Sequence, residues 1–356
     1  MKKLSKISGS NLITYGMVIV VYLIMQLLTS LGLVSNLIKG QLVPICAYAV
    51  MAVSLNLCVG ILGELSLGHA GFMSVGAFSG AIAIACMESA IPSPILRLIL
   101  GMVVGAVFAA IAGVIIGIPV LKLNGDYLAI VTLAFGEIIR SVLTNVYAAL
   151  NPSGLRFSLL ETIAPEEGGK MVINGAIGLT GLTPISTFTV GILLLLVCLV
   201  VVFNLTNSKT GRAIMALRDN KIAASSIGIS VTKYKLLAFV ISAAIAGAAG
   251  TLFAENYSAM RAVKFDFNTS ILILVFVVLG GLGNIRGSII AAAVLTLIPE
   301  LLRSISDYRM LAYAIILILV MLATHSPAFS AFTGRLKKNI ADFFRGLFRK
   351  GGAQNA

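Results

Sequence analysis

The chain has 356 residues, of which 59% are hydrophobic and 11% charged, and its formal net charge is +13. Soluble domains are about 45–50% apolar and about 25% charged, so this chain has too little polar surface to coat a water-soluble globule. The composition excludes a soluble enzyme, a disordered tail and a disulfide scaffold. The apolar runs of about twenty residues that recur along it each suit a helix across a ~30 Å hydrocarbon core.

The expected fold is all-α, a polytopic transmembrane bundle of ten spans. Apolar length and polar punctuation place them at 12–34, 41–62, 69–87, 96–121, 127–146, 185–206, 236–254, 268–283, 287–303 and 309–324. The first run outlasts a secretory h-region, and no small-residue cleavage site follows within the first thirty residues, so it is expected to remain as a helix. Span two carries Asn56, which suits a bond to a neighbouring helix better than a ligand.

Between spans two and three, Gly63-Glu64-Leu65-Ser66-Leu67-Gly68-His69-Ala70-Gly71 interrupts the apolar sequence with three glycines and several polar groups. Backbone freed by such a break needs protein or a water-filled cavity around it. The segment therefore reads either as a turn lining a translocation route or as a tight cytoplasmic turn. His69, at the start of the next run, suits a hydrogen-bonded structural role. Gly76 and Gly80, Gly101 and Gly105, and Gly113 and Gly117 form GxxxG pairs in spans three and four. Small residues let helix backbones approach closely in lipid, which predicts a tight bundle or a dimer contact.

Asp126 follows Asn124-Gly125 and is an N-cap candidate for span five. Within that span Glu137 and Arg140 stand one turn apart and can form an ion pair or a substrate or gating contact. Residues 147–184 make the longest extramembrane connection, with Pro152, Pro165 and Pro184. Glu161, Glu166 and Glu167 there slightly outnumber Arg156 and Lys170.

Span six leads into the basic stretch 207–235. Residues 211–228 read as a helix that stops at Gly228, with Ile214, Leu217, Ile222 and Ile227 as its apolar face. A short amphipathic helix outside the membrane suits docking in a groove of a soluble partner, or lying on headgroups. Beyond span ten, Arg335 to Lys350 interleaves basic residues with Leu336, Ile340, Phe343, Phe344 and Leu347, the pattern of an interfacial helix. The domain reading is one membrane domain over 1–334 and this tail over 335–356.

Charge fixes the sidedness. Lys2, Lys3 and Lys6, then Lys209, Arg212, Arg218, Lys221, Lys233 and Lys235, then Arg335, Lys337, Lys338, Arg345, Arg349 and Lys350 make fifteen of the 26 basic residues, beside only two acids, Asp219 and Asp342. All three clusters fall on one side of a ten-span chain, so both termini are expected in the cytoplasm. That distribution argues for a membrane surface and against a nucleic-acid partner. The four cysteines, Cys46, Cys58, Cys86 and Cys198, lie in apolar runs without CxxC spacing and read as small buried hydrophobes, with no disulfide or metal role.

Catalytic patterns are missing. His69 and His325 are the two histidines, and no G-x-x-x-x-G-K-[ST] phosphate loop occurs, so neither enzyme activity nor a cofactor is expected and any ATP would be spent by another subunit.

Ile222-Ala223-Ala224 followed by Gly228 resembles the A-A-x-x-x-G core of the permease loop that docks on the ATPase in bacterial ABC importers, with Ile222 where that loop usually has glutamate. Gly63 to Phe72 (GELSLGHAGF), Gly125 to Ile139 (GDYLAIVTLAFGEII), Gly175 to Pro184 (GAIGLTGLTP), Tyr234 to Gly250 (YKLLAFVISAAIAGAAG) and Val278 to Gly287 (VLGGLGNIRG) are similar, in order, to the M-type permeases of branched-chain amino acid importers. The resemblance implies alternating-access import of leucine, isoleucine and valine across a bacterial inner membrane. It implies a second homologous permease, two ATPase subunits and an extracytoplasmic binding protein as partners. By the same resemblance, Gly211, Arg212, Arg218, Ile222, Ala223, Ala224 and Gly228 would couple to an ATPase. Glu64, Ser66, Gly68, His69, Phe72, Thr132 and Glu137 would lie near the pathway. The outside loop departs from the family by being longer over 151–174. Urea, amides or other amino acids are alternative cargoes. An ion-driven transporter with Glu64 or Glu137 as proton carrier, and a scaffold without flux, are alternatives of other classes.

Overall fold

The computed structural model describes residues 9–302 and 308–325, apart from 124, 153, 160, 164, 165 and 167. The N-terminal lysines, Asn124, Pro165, Glu167 and the tail over 335–356 lie outside the described residues. Ten long helices stand where the ten apolar runs were read: α1 (Gly9–Ser30), α2 (Asn36–Asn56, continued by a π-helical turn over Leu57–Leu62), α3 (His69–Cys86), α4 (Pro94–Val120), α5 (Asp126–Thr144), α6 (Phe188–Asn207), α9 (Val231–Ala254), α10 (Phe267–Gly280), α11 (Ile285–Leu301) and α12 (Arg309–His325). The short helices α7 (Lys209–Asp219) and α8 (Lys221–Ser226) lie between α6 and α9. By length and composition, seven helices among the described residues can cross a membrane: α1, α2 with its π-helical turn, α3 to α6, and α9. α10, α11 and α12, at 14, 17 and 17 residues, are shorter than any of those seven. The chain divides into two compact units, Met1–Leu297 and Ile298–Ala356.

Local chemistry sets several starts. Ser35, Thr187 and Asp266 each accept a backbone N–H three residues on, at the N-termini of α2, α6 and α10. Pro94 opens α4, where its missing N–H costs nothing. Asp126 is not the cap expected: the cap position belongs to Gly125, whose φ of 59° suits glycine, and Asp126 is the first helical residue.

The centre of the first unit is a three-helix seam of α3, α4 and α9. A methyl group on Gly76 would overlap the backbone of Gly247, one on Gly247 would overlap Ala109 and the carbonyl of Gly105, and one on Gly250 would overlap the carbonyl of Met73. Gly101, Gly113 and Gly117 likewise abut Ile84, Ala243 and Leu236. The GxxxG faces are thus occupied within the chain. Thr251 in α9 ties the seam with a 2.8 Å bond from its hydroxyl to Gly76 O. α2 runs buried beside this seam, whereas α1 is largely exposed.

Residues 147–184, where the sequence predicts a loop, contain a small sheet. Three five-residue strands, β1 (Tyr147–Asn151), β2 (Gly154–Ser158) and β3 (Lys170–Asn174), form an antiparallel sheet in the order β2-β1-β3. The sheet buries Ala148, Ala149, Val172 and Ile173. Cys46, Cys58 and Cys198 are buried as expected, but Cys86, at the end of α3, is exposed; all four are free thiols.

Candidate functional site

The GELSLGHAGF segment begins where α2 ends. Its π-helical turn stops at Gly63, whose φ of 81° lies in the left-handed region open to glycine. Glu64, next along, forms an ion pair with Lys235 of α9, and both side chains are nearly inaccessible. Lys235, which by sequence belongs to the basic stretch 207–235, is 4% exposed, one turn inside α9. A buried carboxylate needs such a partner, since an unpaired charge away from water is costly.

Beyond Glu64 the chain is held from several helices. Leu67 N donates to Thr132 Oγ1 of α5 at 3.0 Å, and that hydroxyl donates to Ala129 O at 2.9 Å. Gly68 packs against the carbonyl of Thr132, which leaves no room for a side chain there. His69 is fully buried, its Nε2 3.0 Å from the hydroxyls of both Ser54 and Ser242. Those hydroxyls donate reciprocally to each other's backbone carbonyls, Ser54 to Ser242 O at 2.6 Å and Ser242 to Ser54 O at 2.7 Å. With both hydroxyl hydrogens so committed, the network assigns the proton of His69 to Nε2, and Nδ1 is buried without a partner. His69 thus pins α3 to α2 and α9. Phe72 stacks edge-on against His69 and Phe239, with ring centroids 5.9 and 5.4 Å apart. Ser66 is buried with no partner for its hydroxyl.

Glu137 pairs with Arg140 at 2.7 Å and also accepts a bond from Phe267 N, at the start of α10, at 3.2 Å. It lines a crevice with Leu67, Gly71 and Gly136. The structure therefore gathers Gly68, Thr132 and Glu137 along α5, sets His69 and Phe72 towards α2 and α9, and keeps Glu64 at the end of the bundle with Lys235. Asn56 makes the helix-to-helix bonds expected of it, donating to Ser288 Oγ of α11 at 2.7 Å and accepting from Gly283 N at 2.8 Å. An apolar cavity of about 350 Å³ lies elsewhere, between α1, α2, α6 and α11, among residues such as Val18, Leu42, Ile192 and Val294. Its walls hold nothing for the charged groups of an amino acid.

The 211–228 segment is two helices, not one. Asn220 breaks it with an extended backbone (φ −155°), and its Oδ1 accepts from Ile222 N and Ala223 N to start α8. The four apolar positions consequently split. Ile214 and Leu217 on α7 are buried in the bundle, whereas Ile222 and Ile227 are 79% and 77% exposed. Ser208 makes the bend from α6 to α7, donating to Leu205 O at 2.6 Å and accepting from Gly211 N at 3.0 Å. Gly211 sits tight against Leu205 and Thr206, and Arg212 donates to Asn207 O at 3.4 Å. Ala223 is exposed, Ala224 buried, and Gly228, with φ of 86°, ends the unit in open space.

Arg218 joins the two groups. Its Nη1 donates to Gly60 O in the π-helical turn at 2.8 Å, its other nitrogens reach Asp219 Oδ1 at 3.2 Å, and its stem lies over Gly63. Ser54, Lys235, Ser242 and Ser270, whose hydroxyl receives Ala70 N at 3.2 Å, were not singled out from sequence. The one available signal was chemical: a buried-looking Glu64 demanded a cation, and Lys235 borders an apolar run.

The sequence model of a family described as "Branched-chain amino acid transport system / permease component" matches residues 37–324. The high-affinity branched-chain amino acid transport system permease protein LivM of Salmonella typhimurium is 36% identical over 299 residues, covering 77% of this chain and 66% of that protein. LivM of Escherichia coli is 37% identical over 286 residues with the same coverage. A probable branched-chain amino acid transport permease protein LivH of Methanocaldococcus jannaschii is 29% identical over 219 residues, 58% of this chain and 64% of that one. The chain spans just under two thirds of the length of these relatives. No solved structure matches it.

Proposed function

The chain belongs to the branched-chain amino acid transport permease family, and on that premise we propose that it is the membrane-spanning subunit of an ATP-driven importer of leucine, isoleucine and valine. In this reading both termini and the 207–235 segment are cytoplasmic in a bacterial inner membrane. A second homologous permease completes the pathway, two ATPase subunits dock on the cytoplasmic face, and a binding protein delivers substrate outside. Transport proceeds by alternating access, with the pathway near the Ser66–Phe72 segment and α5.

The observation that carries the reading is the divergence of α7 and α8. α7 turns its apolar residues into the bundle, while Ile222 on α8 and Ile227 just past its end are exposed. An apolar pair held out from a basic segment suits insertion into a groove of a soluble protein. Ala223→Glu tests this: it is expected to lose co-purification of the ATPase subunits while the permease keeps its thermal unfolding temperature. Retained association at wild-type level would overturn the docking assignment. Competition uptake with leucine, valine and urea checks the cargo, and a preference for urea would overturn it. The ion-driven alternative is disfavoured because both proposed carriers are engaged in ion pairs, Glu64 with Lys235 and Glu137 with Arg140.

A further inference from the structure

The exposed helix α8 is slung between two anchors, and both stand on one turn. On its N-terminal side, Arg218, two residues before Asn220, reaches Gly60 O. On its C-terminal side, Lys235, in the first turns of α9, pairs with Glu64. Everything between these anchors, including Ile222, Ala223 and Ile227, is the part assigned above to docking. Force applied to α8 therefore converges on residues 60–64 from two directions.

That turn is built to pass displacement on. A π-helical turn spreads its hydrogen bonds over one residue more than an α-helix and leaves carbonyls open to outside donors; such turns concentrate at functional sites. Gly60 uses its carbonyl for Arg218, while its α-carbon is pressed between Asn56 and Gly283, so that no side chain fits. Asn56 in turn holds Gly283 and Ser288, at the α10–α11 connection. In the other direction the chain passes from Glu64 directly into Ser66–Phe72, whose backbone is bonded to Thr132 of α5 and Ser270 of α10. One turn thus meets the docking segment on one side and leads, through Asn56, Leu67 and Ala70, to α11, α5 and α10 on the other.

We propose that the Gly60–Glu64 turn is where motion of the docking helix enters the membrane bundle, with Arg218 and Lys235 as positioning residues that make α7, the start of α9 and the turn move as one body. The inference rests on the docking assignment of α8, and it deepens that assignment by naming the link. A rigid link has a specific consequence. The contact persists through the cycle, so a covalent bond can replace it.

The test uses the assembled transporter in proteoliposomes, in a background with Cys46, Cys58, Cys86 and Cys198 replaced, reading leucine uptake and ATP hydrolysis together. A Cβ at Gly63 falls 3.4 Å from Arg218 Cβ, within the reach of a disulfide. For Gly63→Cys/Arg218→Cys, the reduced complex is expected to keep its ATPase subunits but to lose uptake per ATP by about tenfold, the scale of one lost charged hydrogen bond. Oxidation is expected to restore the ratio to within about twofold. Both redox states carry the same strain at position 63, so the comparison is internal. Arg218→Lys, which keeps a donor, is expected to fall between wild type and Arg218→Ala. A wild-type ratio in the reduced pair, or a loss of uptake on oxidation, would overturn the link. Failure of the docking assignment shows separately, as an Ala223→Glu permease that still retains its ATPase.

Discussion

The two ends of α9 each bury a charged residue, and they treat it in opposite ways. Lys235 and Glu255 stand about 30 Å apart along one helix, at 4% and 1% exposure. Lys235 meets Glu64 in a direct ion pair. Glu255 lies just past the helix, beside Arg97, Glu88 and Lys170, yet its Oε1 has no hydrogen-bond partner. The cations near it are committed elsewhere: Glu88 takes both Arg97, at 3.7 Å, and Lys170, at 3.3 Å. One end is a cross-link between helices; the other is a carboxyl left to choose its protonation state.

Breaking the first end gives the largest effect. Lys235→Ala strands the Glu64 carboxylate in a buried site and is expected to cost about 3–5 kcal/mol, read as thermal or denaturant unfolding of the purified permease. Glu64→Leu/Lys235→Met removes both charges, and most of the stability is expected to return, because an apolar pair needs no desolvated charge. If the double variant is as unstable as the single one, the pair is not what holds the turn to α9.

The other end responds to pH instead. Burial raises the Glu255 carboxyl above its ordinary 4.5; Arg97 pulls it back, Glu88 pushes it further up and Lys170 pulls it down, leaving it at about 7. Between 4.5 and about 7 the native chain holds a proton that the unfolded chain has released. Stability from this group is therefore complete below pH 4.5 and falls as pH rises towards 7, by about 3 kcal/mol in all. Glu255→Gln is expected to flatten that slope, so the difference in unfolding temperature between variant and wild type widens from pH 4.5 to pH 8 in the variant's favour. A constant difference across that range would mean that Glu255 ionises in the native chain as it does in water.

How legible these features were in sequence follows from the range over which each acts. Ten apolar runs announced ten helices because an apolar stretch in lipid must satisfy its own backbone, although seven of the described helices are long and apolar enough to cross; the glycine pairs announced close packing. That Gly247 is the partner of Gly76 and Gly105 was not legible, since a motif names one face and not what covers it. Lys235 was hidden by its neighbours: it closes a run of basic residues, and its partner Glu64 lies far back in the chain. The break at Asn220 was visible in principle, asparagine being a strong cap. The apolar spacing of Ile214, Leu217, Ile222 and Ile227 carried the helical reading past it. The sheet escaped because its strands are five residues long and sit among prolines and glycines. Its buried apolar residues come as adjacent pairs, Ala148-Ala149 and Val172-Ile173, rather than as an alternating stripe.

The same contrast at smaller scale concerns how the sheet is fastened over Glu255. Lys170 lies on β3 and reaches Glu88, at the end of α3, so this ion pair tethers the sheet to the helices. Both side chains are more than 40% exposed, where water and salt screen the attraction, and exposed pairs contribute about 0.2–1 kcal/mol. Lys170→Ala is therefore expected to lower the unfolding temperature only slightly, and less at high salt than at low. Its second effect is on Glu255. Lys170 is one of the two cations that favour the ionised carboxyl, so its removal moves the midpoint of the pH slope upward. A midpoint that moves while the overall stability barely changes would separate the tether from the field it contributes; an unmoved midpoint would show that Arg97 alone supplies that field.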